Sequence, residues 1–231
     1  MYNYIVNNMY KNEDIVFENR HYGENDGKPI IIEGKSKIMI STPHCVKHMR
    51  EGKIKSSDIF TFCIGDYLNK SLDCPFIYQS GFDNTDANYS NSKDSKYKKA
   101  LLYYVIKNDI RLVIDLHGMK NGHGILLDIG TGGKERITLN NETKEFEILK
   151  YNLEKELGII NIGDNKIFDC TNPNTISNYI STNCEIPCVQ LEISSSLRKP
   201  ENSEKLINAL TNTIAQINYL YKNWKILYIL F

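Results

Sequence analysis

The sequence predicts an α/β protein, a three-layer α/β/α sandwich around a mixed sheet. Three observations carry that prediction. Residues 111–116, Arg-Leu-Val-Ile-Asp-Leu, form a nearly continuous apolar run, the pattern of a strand buried on both faces. Short runs of this kind alternate along the chain with stretches whose apolar residues recur at helical spacing. After Pro200, Leu206, Leu210, Ile214, Ile217 and Tyr221 step by three or four, so a long amphipathic helix closes the domain. At 231 residues the chain suits a single domain. A chain of that size hides about 70% of its unfolded surface, enough for a sizeable core.

Taken in order, VF, PIIIEG and KIMIST within residues 15–42 read as short strands, an antiparallel entry to the sheet. Ser57 and Asp58 precede IFTFCIGDYL, whose apolar residues have helical spacing, and either could cap that helix. DCPFIYQ is a further strand. The polar stretch from Ser80 to Lys96 reads as a functional loop or a solvated one, and its length gives weight to the functional case. Tyr97, Leu101, Tyr104 and Val105 mark a helix that feeds the 111–116 strand. GILLDIG reads as a strand, NETKEFEILKYNLEKEL as a helix and PCVQLEIS as a strand. Strand order does not follow from these patterns.

Composition narrows the function. Lys plus Arg and Asp plus Glu are both 28, so no basic excess points to a nucleic-acid partner. The N-terminal MYNYIVNNMYKNED lacks the layout of a secretory signal, and the terminal KILYILF is far short of the ~20 residues that span a bilayer. The expectation is a cytoplasmic protein with reduced thiols, no membrane partner and a small-molecule substrate; the oligomeric state is left open. The six cysteines read as ordinary buried thiols, because Cys184 and Cys188 have no second pair to complete a zinc knot.

Chemistry gathers at three strand ends. KIMIST leads to Pro43-His44, RLVIDL to His117-Gly118, and PCVQL to Glu192. Ligands of open α/β sheets bind outside the carboxyl ends of strands, so the three can share one cleft. Two imidazoles and a carboxylate suit metal-assisted hydrolysis. Zinc takes imidazole nitrogen and carboxylate oxygen, leaves a position open for water, and lowers the pKa of that water toward ~7. A carboxylate outside the ligand set then serves as general base.

The segments STPH, DANYS, DLHG, DIGTG and VQLEIS stand in the order shown by the N-formylglutamate amidohydrolase family, which this chain resembles over about residues 37–200. The resemblance implies a zinc-exopeptidase-like fold, shared with zinc carboxypeptidases and aspartoacylase. It also implies zinc-dependent cleavage of an amide bond in a small N-acyl amino acid or short peptide. His44 and His117 match the imidazole ligands, Asp58 falls where the acidic third ligand belongs, and Glu192 matches the general base. Asp58 also fits a helix cap, so its role stays open. Zinc is the expected ion, and Mn, Fe or Co suit the same donors.

Further roles attach to neighbouring residues. Asp115, two before His117 on a regular strand, suits an outer acceptor that fixes the imidazole, or a plain strand-end carboxylate. His48 reads as a pocket or surface group more than as a ligand, since Cys45 and Pro43 argue against an HExxH helix, and His123 as a plain residue that could face the substrate. The chain departs from the family where D-x-N-R becomes Asp86-Ala87-Asn88-Tyr89. Asn88 and Tyr89 remain candidate substrate contacts, but Tyr89 lacks the charge of the family's arginine. Either Arg198, the better candidate, or Arg50 supplies it and holds a substrate carboxylate, or the substrate is not an N-acyl glutamate. The DIGTGG loop lacks a phosphate-binding register and reads as backbone at the mouth of the site. Tyr89, and Lys47 in place of a third-ligand glutamate, leave one competing reading, a protein that binds a small ligand or metal without turnover.

Overall fold

The computed structural model describes residues 27–91, 93–132 and 143–227. The strand expected at Val16-Phe17 and the end of the DIGTGG loop, Gly133, lie outside them. Nine strands are described: β1 (Pro29–Ile32), β2 (Ile38–Thr42), β3 (His48–Arg50), β4 (Lys53–Lys55), β5 (Phe76–Gln79), β6 (Leu112–Met119), β7 (Leu127–Gly130), β8 (Ile162–Asp164) and β9 (Cys188–Ser194). The helices are α1 (Thr61–Leu72), α2 (Lys96–Lys107), α3 (Lys144–Leu157), α4 (Ile176–Cys184), the single turn α5 (Ser195–Arg198) and α6 (Glu204–Leu227).

Seven strands make one mixed sheet in the order β1-β5-β2-β6-β9-β7-β8, and β3 with β4 forms a separate hairpin. The strands β5, β2, β6 and β9 run parallel, so their carboxyl ends lie along one edge. The expected antiparallel entry is β1, which pairs with β5 rather than with its sequence neighbour β2. β7 runs antiparallel to β9.

Alternation along the strands sorts side chains between two faces. Ile38 and Ile40, Leu112, Ile114 and Leu116, and Val189, Leu191 and Ile193 join the apolar residues of α1, α3 and α6 in one core. Met39, Val113 and Cys188 belong to a second core with Tyr97, Leu101 and Val105 of α2 and Ile176 and Ile180 of α4. Helices on both faces make the three layers that the alternation of runs predicted. The second face changes character along its length. Past Met39, Val113 and Cys188 it carries Ser41, Asp115 with His117, and Gln190 with Glu192, all buried. A period-two pattern with that polar end places every one of these groups on the α2/α4 side of the sheet.

Helix starts follow cap chemistry in most cases. Ser95, Thr143 and Thr175 each accept from the backbone N–H three residues on, opening α2, α3 and α4. The first helix departs from expectation. Neither Ser57 nor Asp58 caps it, because α1 opens at Thr61 after Phe60, whose φ of 71° is left-handed. The hairpin β3–β4 and α4 were not anticipated. The hairpin turns on Glu51 and Gly52, both with positive φ, which is the conformation that two-residue hairpin loops demand. The segment of α4 mixes Ser, Thr and Asn with only two core positions, so its periodicity is faint.

Candidate metal centre

The edge formed by the carboxyl ends of β2, β5, β6 and β9 opens on a cavity of about 790 Å³. Each strand delivers part of its lining. His44 follows β2; the loop after β5 carries Asp86 and Asn88; His117 lies in β6, and Gln190 and Glu192 lie in β9. His117 and Glu192 are register partners across the β6–β9 pair, so they emerge side by side.

Asp58 arrives by a different route. Its backbone N–H donates to the His44 carbonyl at 2.7 Å, pinching off the excursion that contains the hairpin. Residues far apart in sequence thereby reach the same spot. His44 Nδ1 and His117 Nδ1 lie 3.2 Å apart, and Asp58 Oδ2 is 3.9 Å and 3.8 Å from them. This triangle fits a cation. Zinc bonds of 2.0–2.1 Å in tetrahedral geometry set donors about 3.4 Å apart, close to what the three atoms already show. The donor set is also the mixed imidazole–carboxylate set that zinc accepts.

The remote nitrogens of both rings are engaged. His117 Nε2–H donates to Asp115 Oδ2 at 2.8 Å, and His44 Nε2–H donates to Asp86 Oδ1 at 2.9 Å. A carboxylate behind each imidazole can set its tautomer and leave Nδ1 available to a cation. Asp115 is itself held, accepting from Ser41 Oγ at 2.6 Å. Asp86 had been read only as part of the D-x-N motif. It is the junction of the site. Oδ1 also accepts from the Asn88 N–H, while Oδ2 takes Arg50 Nε at 2.5 Å and lies 3.2 Å from His48 Nε2. Burial opposes ionisation of Asp86, yet His44 and His48 outweigh it and hold the carboxyl well below the usual range. His48 stacks on His44 at 4.0 Å between ring centroids and stands outside the Nδ1 triangle. His44, His48 and Asp86 form a second grouping of possible donors, but Arg50 already lies on its carboxylate.

Glu192 belongs to neither donor grouping. Its Oε1 accepts from Gln190 Nε2 at 2.9 Å, and burial, opposed by His117, lifts its carboxyl to about 7. Burial pushes the His44 ring down, toward the neutral form. At His117 burial also works against charge, but Asp115, together with Glu192 and Asp58, outweighs it and raises the ring to about 9. These opposite directions favour charge on His117 over His44, which suits an Nδ1–H of His117 directed at the lone pair of His44 Nδ1.

The candidate substrate contacts fare differently. Asn88 is consumed internally, donating to Gln190 Oε1 at 2.8 Å and accepting from the Ile176 N–H at 2.7 Å. Tyr89 is exposed, with its hydroxyl on Glu51 Oε1 at 2.6 Å. Arg50 packs over the Tyr89 ring at 5.4 Å, at the cavity wall. Arg198 also borders the cavity but is buried; Nε donates to the Ile193 carbonyl at 3.0 Å and Nη1 to that of Ile59. His123 lines the wall beside Phe168. The loop after β5 is pinned from below by Lys98, whose buried ammonium donates to the carbonyls of Ser90 and Asn174.

The six cysteines are free thiols, and among the described residues none joins a grouping able to hold a metal. Among the same residues no helix is long and apolar enough to cross a membrane.

No family model matches the chain, and no curated protein does. Solved structures do. N-formylglutamate amidohydrolase from Ralstonia eutropha JMP134 superposes with a TM-score of 0.61 at 11% identity, over 85% of this chain and 98% of that one. A bacteriophage poly-gamma-glutamate hydrolase gives 0.54 at 14% identity, over 86% and 92%. A metallo-carboxypeptidase from Burkholderia cenocepacia gives 0.52 at 10% identity, over 92% and 67%. At such identities the likeness is one of fold: this chain has the α/β/α architecture of these amidohydrolase and metallo-carboxypeptidase structures.

Proposed function

We propose that the protein is a metal-dependent hydrolase of an amide bond in a small N-acyl amino acid or short peptide. The observation that carries this reading is the triangle of His44 Nδ1, His117 Nδ1 and Asp58 Oδ2, with Glu192 beside it and outside it. The superposed amidohydrolase and carboxypeptidase structures support the same class.

His44, His117 and Asp58 would hold the ion, zinc by preference of the donors. Bound there, it would polarise the scissile carbonyl and acidify water. The remaining work belongs to the chain. Asp86 and Asp115 keep both rings in the ligating tautomer. Glu192, raised by burial to about 7, takes a proton from the attacking water and gives it to the departing amine. Gln190 holds the Glu192 carboxylate in one orientation. Arg50 supplies positive charge where Tyr89 supplies none. Its Nε is fixed by Asp86, so its outer nitrogens can meet a substrate carboxylate.

The test combines elemental analysis of protein purified without chelators with a hydrolysis screen of N-acyl amino acids and dipeptides. About one zinc, manganese, iron or cobalt per chain and turnover of at least one amide is the expected result. Absence of any bound or bindable divalent ion would refute the reading. One ion per chain with no hydrolysis across the panel would favour a binding protein instead.

A further inference from the structure

Arg198 is buried, and it touches the chain at three places. Nε donates to the carbonyl of Ile193, and Nη1 to the carbonyl of Ile59. The guanidinium also covers Gly118, where an added Cβ would lie 2.5 Å from Cζ, 2.6 Å from Nη2 and 2.9 Å from Nη1. Each of these residues comes one position after a member of the site: Ile193 after Glu192, Gly118 after His117, and Ile59 after Asp58.

From this we infer that Arg198 is a positioning residue of the metal centre, a brace that fixes the Asp58 segment against the ends of β6 and β9. The inference rests on the metal-binding role proposed for His44, His117 and Asp58. Two of the site's elements, β6 with the ligand His117 and β9 with Glu192, are locked by the sheet ladder. Asp58 is not, because it lies in a connection between β4 and α1. That connection is strained: Phe60 sits at φ 71°, a left-handed conformation that an aromatic residue adopts only when its surroundings impose it. The bond from Arg198 to the carbonyl just before Phe60 is such an imposition. Lysine could not replace it, since one ammonium lacks the planar fork that reaches two carbonyls while lying on a glycine. Gly118 is required by the same argument, because any side chain there would displace the guanidinium.

The experiment measures zinc affinity by competition with a chromophoric chelator, and the visible spectrum of the cobalt-substituted protein, in wild type, Arg198→Met and Arg198→Lys. Folding is monitored by circular dichroism. A loss of about tenfold to a hundredfold in zinc affinity is expected for both variants, the range seen when groups behind metal ligands are removed. The cobalt spectrum should change as the carboxylate ligand moves. Should Arg198→Met fail to fold, Arg198→Lys, which keeps charge and length, decides. Zinc affinity within twofold of wild type and an unaltered cobalt spectrum would overturn the brace. If those variants instead raised KM for carboxylate-bearing substrates alone, Arg198 would be a substrate clamp. A wild-type protein that takes up neither zinc nor cobalt would refute the metal centre itself and the brace with it.

Discussion

His44 and His117 face each other through their Nδ1 atoms at 3.2 Å, and each turns its Nε2 to a buried carboxylate. That arrangement has chemical consequences that can be measured.

Metal uptake should release a proton. Asp115 sustains the His117 ring at about 9 against the effect of burial, so near pH 7 the metal-free protein carries a proton that the ion must displace. Zinc affinity is therefore expected to rise by about tenfold per pH unit between pH 7 and 9 and then level off. Calorimetry in buffers of different ionisation enthalpy would count the released proton; uptake without proton release would contradict the assignment.

The Glu192→Gln variant should keep its metal and lose turnover by about 10²- to 10⁴-fold, the usual range for a general base. A rate within threefold of wild type would remove Glu192 from that role. The carboxylate form is the active one, so kcat/KM should rise with pH through the Glu192 titration. Burial, opposed by His117, puts that near 7, and a neighbouring cation draws it lower. In the metal-free protein the same group acts on stability in the opposite sense. Its folded-state pKa is raised, so its contribution is present below about 4.5 and is lost as pH climbs to 7.

Replacing Asp115 or Asp86 with Asn should weaken zinc binding by about tenfold to a hundredfold, because each carboxylate orients a ligand ring. Asp86→Asn should show a further effect on acid stability. The wild-type carboxyl is held low by His44 and His48 despite burial, so its stabilising contribution is whole above the ordinary carboxylate range and is lost progressively as pH falls below it. Denaturant midpoints between pH 7 and 3 should therefore fall less steeply in Asp86→Asn than in wild type. Parallel curves would count against the assignment.

Arg50→Met should raise KM for a carboxylate-bearing substrate by about tenfold to a hundredfold, the worth of a charge-assisted hydrogen bond. The corresponding primary-amide substrate should be affected much less. Equal losses on both substrates would show that Arg50 acts on Asp86 rather than on substrate.

The sequence by itself determined the layers and singled out several of the residues that the fold gathers at the cavity. Continuous apolar runs and period-3.6 patterns are local, and they revealed β6, β9, α2, α3 and α6. The rule that chemistry sits at the carboxyl ends of parallel strands singled out His44, His117 and Glu192 before any coordinates. Weak local patterns concealed the hairpin β3–β4 and the helix α4. What only the tertiary structure decided was non-local. Asp58, which the sequence left open between ligand and helix cap, is held beside the histidines by one backbone hydrogen bond to His44. Asp86 is drawn behind His44 by the loop after β5. Arg198 is drawn inward by the carbonyls of Ile59 and Ile193. Hydrogen bonds between segments so distant leave no period in the sequence, because their partners are chosen by the folded sheet and not by neighbours along the chain.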